Sequence, residues 1–557
     1  QLVELVPGGR LVLERDHALD EILGDRCQVV DLAFAPHLHG GQVQAGDLDL
    51  HAGQIDNLAT GEISGIRTQV RADGVLGNRG LIDGVDTRVD ADVILNVGTG
   101  RIYGDRLSIG ATTLVNSDET LEGVTRAATI AARERLDIGA GTVVNREQAL
   151  IFSAGGGDNA LNIGGALDAQ GHAVGRAGSV HNASATIESL GGLTIDATRL
   201  LNSNEHFATS EVMVVGPTKK LYIQPKGTPG MHDASEFTWS SWSRAGKYRW
   251  NNGNGDVKDW TQYDVTHTEY ETQVASSTPG RIISGGNMTL RGDELINDKS
   301  QILAGGALLG DLGNLRNIDA FGEYRVHEEG TSQYTYSRWR GGFKRYHERK
   351  WDRKIAYRPA DEVRTINLGV TRTAEHTRDG GSGYQVGGVS TGSVGGQVGG
   401  AAEAGAVGGQ RQVTEVSASV ASLAGPGSTA GTGAQGAAGN QPTVIRTIGV
   451  EAELPQSSLF QSGPNAGQYL VETDPRFADY RSWLGSEYLL QKMGVDPANV
   501  QKRLGDGFYE QKLVRDQVAQ LTGRRFLDGY ADDEAQYRAL LDNAATIADA
   551  WGLRPGV

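Results

Sequence analysis

Cysteine is almost missing from this chain: Cys27 is the only one in 557 residues. A single thiol excludes an intrachain disulfide framework and a cysteine-built zinc site. His37 and His39 lie close to it in the sequence. A Cys/His nucleophile pair needs a third orienting group and a defined pocket, so Cys27 reads as a small buried residue. Proline is sparse at 14. No apolar run is long enough to cross a bilayer, and no HExxH, GxSxG or Walker pattern occurs. Basic residues are in deficit, 52 Lys and Arg against 68 Asp and Glu, which leaves a net charge of −16. That balance argues against a general nucleic-acid surface, although local basic patches are compatible with it. The sequence begins without Met or a signal peptide and stops at Pro555-Gly-Val557, so we expect a segment of a longer chain.

Glycine is abundant, at 79. Without collagen periodicity it suits a turn-rich β structure. The order behind it is a short module. Leu136-Asp-Ile138-Gly-Ala-Gly-Thr-Val143-Val-Asn145 is nearly repeated as Leu107-Ser-Ile109-Gly-Ala-Thr-Thr-Leu114-Val-Asn116. Further copies end at Asn57, Asn202 and Asn297, and a weaker one at Asn317. In each, an apolar residue is followed seven positions later by another and nine positions later by Asn. Apolar/polar alternation marks a half-buried strand, and Asn is a corner residue that tolerates left-handed geometry. Steps between these Asn residues of 20, 29 and 57 fit one, one and a half and three turns of a solenoid of about 20 residues per coil. The expected fold is mainly β: a right-handed parallel β-helix with aromatic β insertions, a Gly-rich segment and a C-terminal α-helical module. The competing reading is a β-sandwich, which has no reason to repeat the nine-residue offset.

Six regions follow. Residues 1–205 carry repeats, with a short helix or loop expected at 121–135. Residues 206–280 form an aromatic insertion containing Trp239, Trp242, Trp250 and Trp260. Repeats resume over 281–321. A basic aromatic insertion at 322–378 holds Trp339, Tyr346 and Trp351. Both insertions begin where a coil ends, so they are expected to form hairpins lying side by side. Residues 379–453 are a Gly/Ala-rich linker or thin strands. Residues 454–557 hold helices: Asp496-Pro497 reads as a helix start, Gly523 as a stop, and Asp532-Asp-Glu534 opens another.

No catalytic constellation, metal site or cofactor site emerges. Gly155-Gly-Gly-Asp-Asn159 has the look of a calcium repeat but occurs once, so it reads as a corner. Candidate partner-binding residues are the insertion aromatics Trp239, Trp242, Trp250, Trp260, Trp339, Tyr346 and Trp351. Phe508, Tyr509, Arg524, Arg525 and Tyr530 add a second set in the helical region. For the insertion aromatics the plainer reading is local packing, and for the helical region it is a cap over the last coil that hides an open sheet edge.

The repeats at Arg106-Leu-Ser-Ile-Gly-Ala, Gly192-Leu-Thr-Ile-Asp-Ala and Gly286-Asn-Met-Thr-Leu are similar to haemagglutinin repeats. Leu454-Pro-Gln-Ser-Ser-Leu-Phe460, Tyr469-Leu-Val-Glu-Thr-Asp-Pro-Arg-Phe477, Arg503-Leu-Gly-Asp-Gly-Phe-Tyr-Glu-Gln511 and Leu521-Thr-Gly-Arg-Arg-Phe-Leu-Asp-Gly-Tyr530 are similar to a segment that follows such repeats. The chain thus resembles the large exoproteins of two-partner secretion systems in Gram-negative bacteria, the filamentous-haemagglutinin-like and contact-dependent growth inhibition (CdiA-type) proteins. The resemblance implies a secreted, cell-surface filament, exported through an outer-membrane transporter, that binds an outer-membrane receptor (protein or lipopolysaccharide) on a neighbouring cell and presents a toxin lying outside this segment. We expect a monomeric filament without nucleic-acid partners or enzymatic activity of its own. The alternatives are a β-helix glycan-active enzyme and a host-cell adhesin without toxin delivery.

Overall fold

The structure, a computed structural model, describes residues 28–39, 41–241, 246–341, 346–368, 372–378, 384–391, 455–462, 469–496, 503–527 and 529–552. Cys27, Trp242 and nearly all of the Gly/Ala-rich segment lie outside the described residues. The chain divides into two compact units. One comprises Gln1–Phe207, Ser277–Ala320 and Gly369–Val557, the other Ala208–Ser276 and Phe321–Leu368.

The first unit is built on a sheet of parallel strands in which each coil pairs with the next. Gln42 aligns with Glu62, Glu62 with Leu81, Leu81 with Arg101, and later Arg281 with Gln301. This is the arrangement a β-helix requires. Alternation along each strand sends every second side chain inward, and parallel pairing in register stacks like upon like. Ile63, Ile82, Ile102, Ile130, Ile151, Ile187 and Ile282 form one inward column, each without exposed surface. Burying each such side chain contributes roughly 1.5–3 kcal/mol before entropy is counted.

The Asn of each module sits two residues after an inward apolar residue, as in Ile55-Asp-Asn57 and Leu114-Val-Asn116, so it faces inward too. Asn57, Asn78, Asn96, Asn116, Asn145, Asn182, Asn202, Asn297 and Asn317 form a ladder. Each Nδ2 donates to the next Oδ1 at 2.7–2.8 Å. The expected role of Asn as a left-handed corner is therefore corrected. These residues are absent from the positive-φ set, and they act as a buried polar spine. Their second N–H bonds go to backbone carbonyls, as from Asn96 to Thr129 and from Asn116 to Leu150.

In place of the helix or loop expected at 121–135 there is a β-hairpin followed by the wall strand Thr129–Arg146. Asp118–Leu121 pairs antiparallel with Val124–Ala127 around Glu122 and Gly123, both at positive φ. Two consecutive positive-φ residues make a turn whose twist matches the flanking strands, which extends the strand rather than ending it.

Among the described residues, four helices follow late in the chain: α1 (Pro475–Ala478), α2 (Glu487–Lys492), α3 (Gly507–Thr522) and α4 (Asp533–Trp551). The longest two have the expected stops, with Gly523 and Gly552 in left-handed conformation. The start of α3 differs from expectation. It begins after Asp506, which accepts the Tyr509 backbone N–H, because Arg503–Gly505 is a strand paired with Tyr469–Thr473; residues 497–502, which follow the expected start at Asp496, lie outside the described residues.

The second unit is a seven-stranded sheet with a small three-stranded sheet. Strand Trp260–Ser276, from the first insertion, pairs antiparallel with Phe321–Arg340, from the second. The long strand Ala208–Pro225 lies on its other side.

Candidate functional site

In the first unit, the outward residues of one wall strip receive the C-terminal region. Register places Tyr103, Ala131, Phe152, Glu188, Ile283 and Leu303 on successive coils. From Phe477 onward the residues that meet them ascend in the same order. Arg476 pairs with Glu62. Asp474 accepts from Arg101 at 2.7 Å and from the Tyr103 hydroxyl at 3.2 Å. The Phe477 ring lies 5.3 Å from that of Tyr103, and the Phe508 ring 5.7 Å from that of Phe152. Arg515 donates to Glu188 at 3.0 Å, and Arg281 reaches Asp516 at 3.5 Å. Ala519 packs on Ile283 and Leu303. The region is a strap running along the wall over many coils.

The electrostatics of the strap follow from its burial. Arg133 binds Asp83 and Asp105 at 3.1 and 3.0 Å and donates to the Phe477 carbonyl, joining three coils to α1. Burial pushes the Asp83 carboxyl above its usual range despite Arg133. Burial also drives the Tyr103 phenol well up, so it stays a donor to Asp474. The Asp533 carboxyl is raised by burial, but Arg525 and Arg515 more than offset this and hold it below its usual range.

These contacts decide the fate of the helical candidates. Phe508, Tyr509 and Arg525 are 2 %, 5 % and 2 % exposed. They are packing residues of the strap and present no surface to a partner. Arg525 is fixed bidentately to Asp533 at 2.6 Å. Arg524 is half-buried beside it, and Tyr530 is exposed. A cavity of about 510 Å³ near the start of α4 is lined by Leu190, Phe526, Arg481, Asp532 and Asp542 among others. Asp542 is already engaged by Lys492 and by the Tyr488 hydroxyl. Among the described residues no group of three or more His, Cys, Asp and Glu is placed to hold a metal ion.

In the second unit, several insertion aromatics converge. Phe237, Tyr248, Trp250 and Trp260 pack with tilted or edge-on rings around Ile223 and Val257. Trp260 is 3 % exposed, which corrects its expected place on a contact surface: it is the centre of a small core. Trp250 is half-buried in the same core. Trp239 rests against Tyr248 and Trp260 yet stays half-exposed. Its ring lies over Gly246, at φ +61°, where a Cβ would come within 2.3 Å of the indole. Only glycine serves both the conformation and the close approach.

Trp339 and Trp351 belong to a hairpin, Phe321–Arg340 with Tyr346–Trp351. Trp339 faces His347, and Thr335 faces Trp351. Residues directly opposed in an antiparallel pair share a face, and so do residues an even number apart on a strand. Both indoles therefore stand on one face. They are 54 % and 65 % exposed. Tyr346 pairs with Arg340 through its backbone, and its side chain lies outside the described part. On the opposite face, His267 lies between Glu328 and Glu269 at 2.8 Å each, with the Tyr222 hydroxyl donating to Glu328 at 2.9 Å. No linear pattern points to this chain of groups, because its members come from three separate strands.

Comparison with known proteins adds the following. No protein-family model matches the chain, and no solved structure matches it. The chain is 26 % identical to a Yersinia pestis protein named "Toxin CdiA", over 73 % of this chain and 12 % of that protein. Over 106 residues it is 43 % identical to "tRNA nuclease CdiA-2" of Burkholderia pseudomallei strain 1026b, covering 19 % of this chain and 3 % of the relative. Over 95 residues it is 38 % identical to "tRNA nuclease CdiA" of Escherichia coli O6:K15:H31 strain 536, again 3 % of that protein. The chain thus spans only a small part of the curated relatives it matches. No helix among the described residues is long and apolar enough to cross a membrane. The parallel coil stack and these matches support a region of a CdiA-type contact-dependent inhibition protein.

Proposed function

We propose that this region is a segment of the extracellular filament of a contact-dependent inhibition exoprotein. In this reading it is a right-handed β-helical shaft, exported through an outer-membrane transporter and displayed at the surface of a Gram-negative bacterium. It helps to hold a recognition surface and a toxin lying outside it against a neighbouring cell. The segment itself performs no catalysis, acts as a monomer and has no nucleic-acid partner. The nuclease activities in the relatives' names belong, in this reading, to parts of those proteins beyond the matched stretch.

The observation that carries the proposal is the ladder running from Asn57 to Asn317 without a break in its amide bonds. A stack in which each coil bonds its neighbours gains length without new long-range contacts and can fold coil by coil during export. The strap supports the same reading, since it ties coils together rather than enclosing a reaction site. Contact with the neighbouring cell, through an outer-membrane protein or lipopolysaccharide, is assigned to the second unit. Its Trp339 and Trp351 indoles are free of the packing duties that occupy Phe508 and Tyr509.

The test is binding of the purified chain to intact Gram-negative cells, against a version with 208–276 and 321–368 each replaced by a short Gly/Ser link. Circular dichroism would establish that the shaft persists. We expect binding to be lost with the second unit; unchanged binding would move recognition elsewhere.

A further inference from the structure

We infer that the hairpin of Phe321–Arg340 and Tyr346–Trp351 is a binding platform for an acidic polysaccharide, a saccharide chain bearing carboxylate or phosphate groups. The inference deepens the proposed function and rests on its reading of the second unit as a contact surface outside the cell.

Three observations converge on it. The first is the pair of indoles. Trp339 and Trp351 stand on one face, and four residues along the strand separate Trp339 from Thr335, the partner of Trp351. At about 3.4 Å per residue the two rings are set roughly 14 Å apart along the strand. Large exposed apolar groups repeated on one flat face mark a contact surface rather than a core. Indole faces stack on the C–H faces of sugar rings, and this span accommodates a few linked sugars.

The second observation is charge. Residues 338–354 hold eight Lys and Arg against two Asp and Glu, in a chain whose net charge is −16. Arg353 and Lys354 are exposed beside Trp351, while Arg338 is exposed on the opposite face. Glu348 stands on the opposite face, where Lys350 engages it at 3.2 Å, so it does not offset the cations beside Trp351. A neutral glycan needs no such field, whereas an anionic one is drawn to it.

The third observation is what lies between the indoles. Arg349 faces Ser337, midway along. Its guanidinium lies 4.4 Å from the centre of the buried Trp260 ring and donates to the Lys258 carbonyl at 2.6 Å and to that of Gly246. Single-stranded nucleic acid binds by stacking successive bases on aromatic side chains. Here the two indoles are separated by a cation held down against the sheet, so a continuous stack of bases finds no stair. Separated stacking points in a cationic surround fit a polysaccharide better.

The experiment is titration of the full 557-residue chain with three probes: polygalacturonate, neutral dextran and a twenty-nucleotide oligothymidylate. We expect polygalacturonate to bind most tightly and its binding to weaken with salt. W339A/W351A should weaken it roughly tenfold or more, the size expected for losing stacking contacts. R353E/K354E should weaken it several-fold and flatten the salt dependence. Both variants alter exposed residues, and an unchanged circular dichroism spectrum would show that each folds. Equal affinity for dextran, tighter binding of the oligonucleotide, or polygalacturonate binding unaltered in W339A/W351A would overturn the inference. Because the polysaccharide is used without cells, its binding can succeed while cell binding fails, which would count against the proposed function alone.

Discussion

On the wall strip of the first unit, Phe152, Phe477 and Phe508 are each 2 % exposed or less, whereas on the hairpin of the second unit Trp339 and Trp351 are 54 % and 65 % exposed. Arginines diverge in the same way. Arg515 is 4 % exposed and bonded to a Glu188 that is itself 2 % exposed, while Arg338 on the hairpin is exposed. Both regions are rich in aromatic and basic residues, so composition does not separate them. What separates them is the partner surface. The wall strip offers an apolar column with carboxylates at its margins, and the strap supplies the matching rings and guanidiniums in coil order. On the strand beside the hairpin Trp260 is covered, but Trp339 and Trp351 on the hairpin have no covering layer among the described residues. Aromatic residues that have found a partner hold a fold together; those left without one are available for recognition.

This contrast can be broken or sharpened by substitution. The largest effect is expected at Phe477, which touches Tyr103, Phe152 and Phe508 together. Phe477→Ala should destabilise the strap by about 3–5 kcal/mol. Limited proteolysis should then cut 455–552 at protease levels the parent chain resists. The same digestion pattern for both proteins would contradict the packing described.

Acid should loosen the strap next. Burial raises the Asp516 carboxyl, but Lys512 and Arg281 more than offset it and hold it below its usual 3.8. A depressed folded pKa contributes stability that is fully present above the unfolded value and lost as pH falls through the folded one. Strap docking should therefore weaken below about pH 3.8, and Asp516→Asn should be less stable at neutral pH and show a shallower acid response. Fluorescence-monitored acid titration of both proteins checks this, and identical curves would remove Asp516 from the account.

The spine comes third. Asn116→Ala removes one ladder donor and one acceptor, leaving Asn145 Oδ1 without its amide donor and Asn96 Nδ2 without its amide acceptor. A loss of roughly 1–3 kcal/mol is expected, read from urea unfolding. Asn116→Asp should cost more, because it also places a charge in the core.

The smallest effect belongs to the hairpin. Trp351→Ala should change stability by no more than about 0.5 kcal/mol, as exposed positions do. A loss as large as that at Phe477 would show that the indole is a packing residue after all.

The repeats could be read in the sequence because one residue type returns at a fixed distance from an inward apolar residue. The Asn residues were visible for that reason. Their bonding was not: alternation shows which face a side chain takes, and says nothing of an amide meeting its copy one coil away. The isoleucine column was harder to see, since a hairpin falls between Ile102 and Ile130 and a whole unit between Ile187 and Ile282. The strap was illegible because its bonds join residues as far apart as Arg101 and Asp474. An amphipathic helix announces an apolar face without naming the surface that face will meet. The same limit explains why Trp260 and Trp351 looked equivalent before the structure placed one beneath a small sheet and the other outside it.

The measurement that tests the account most directly is a double-substitution cycle between Glu188 and Arg515, read by hydrogen exchange of the α3 amides. The account predicts that Glu188→Ala and Arg515→Ala each open the helix strongly, because each strands a buried charge. Together they should cost clearly less than the sum, with a coupling of about 1–3 kcal/mol. Additive effects with coupling near zero would mean that the strap does not lie on the wall, and the contrast between the two regions would fall with it.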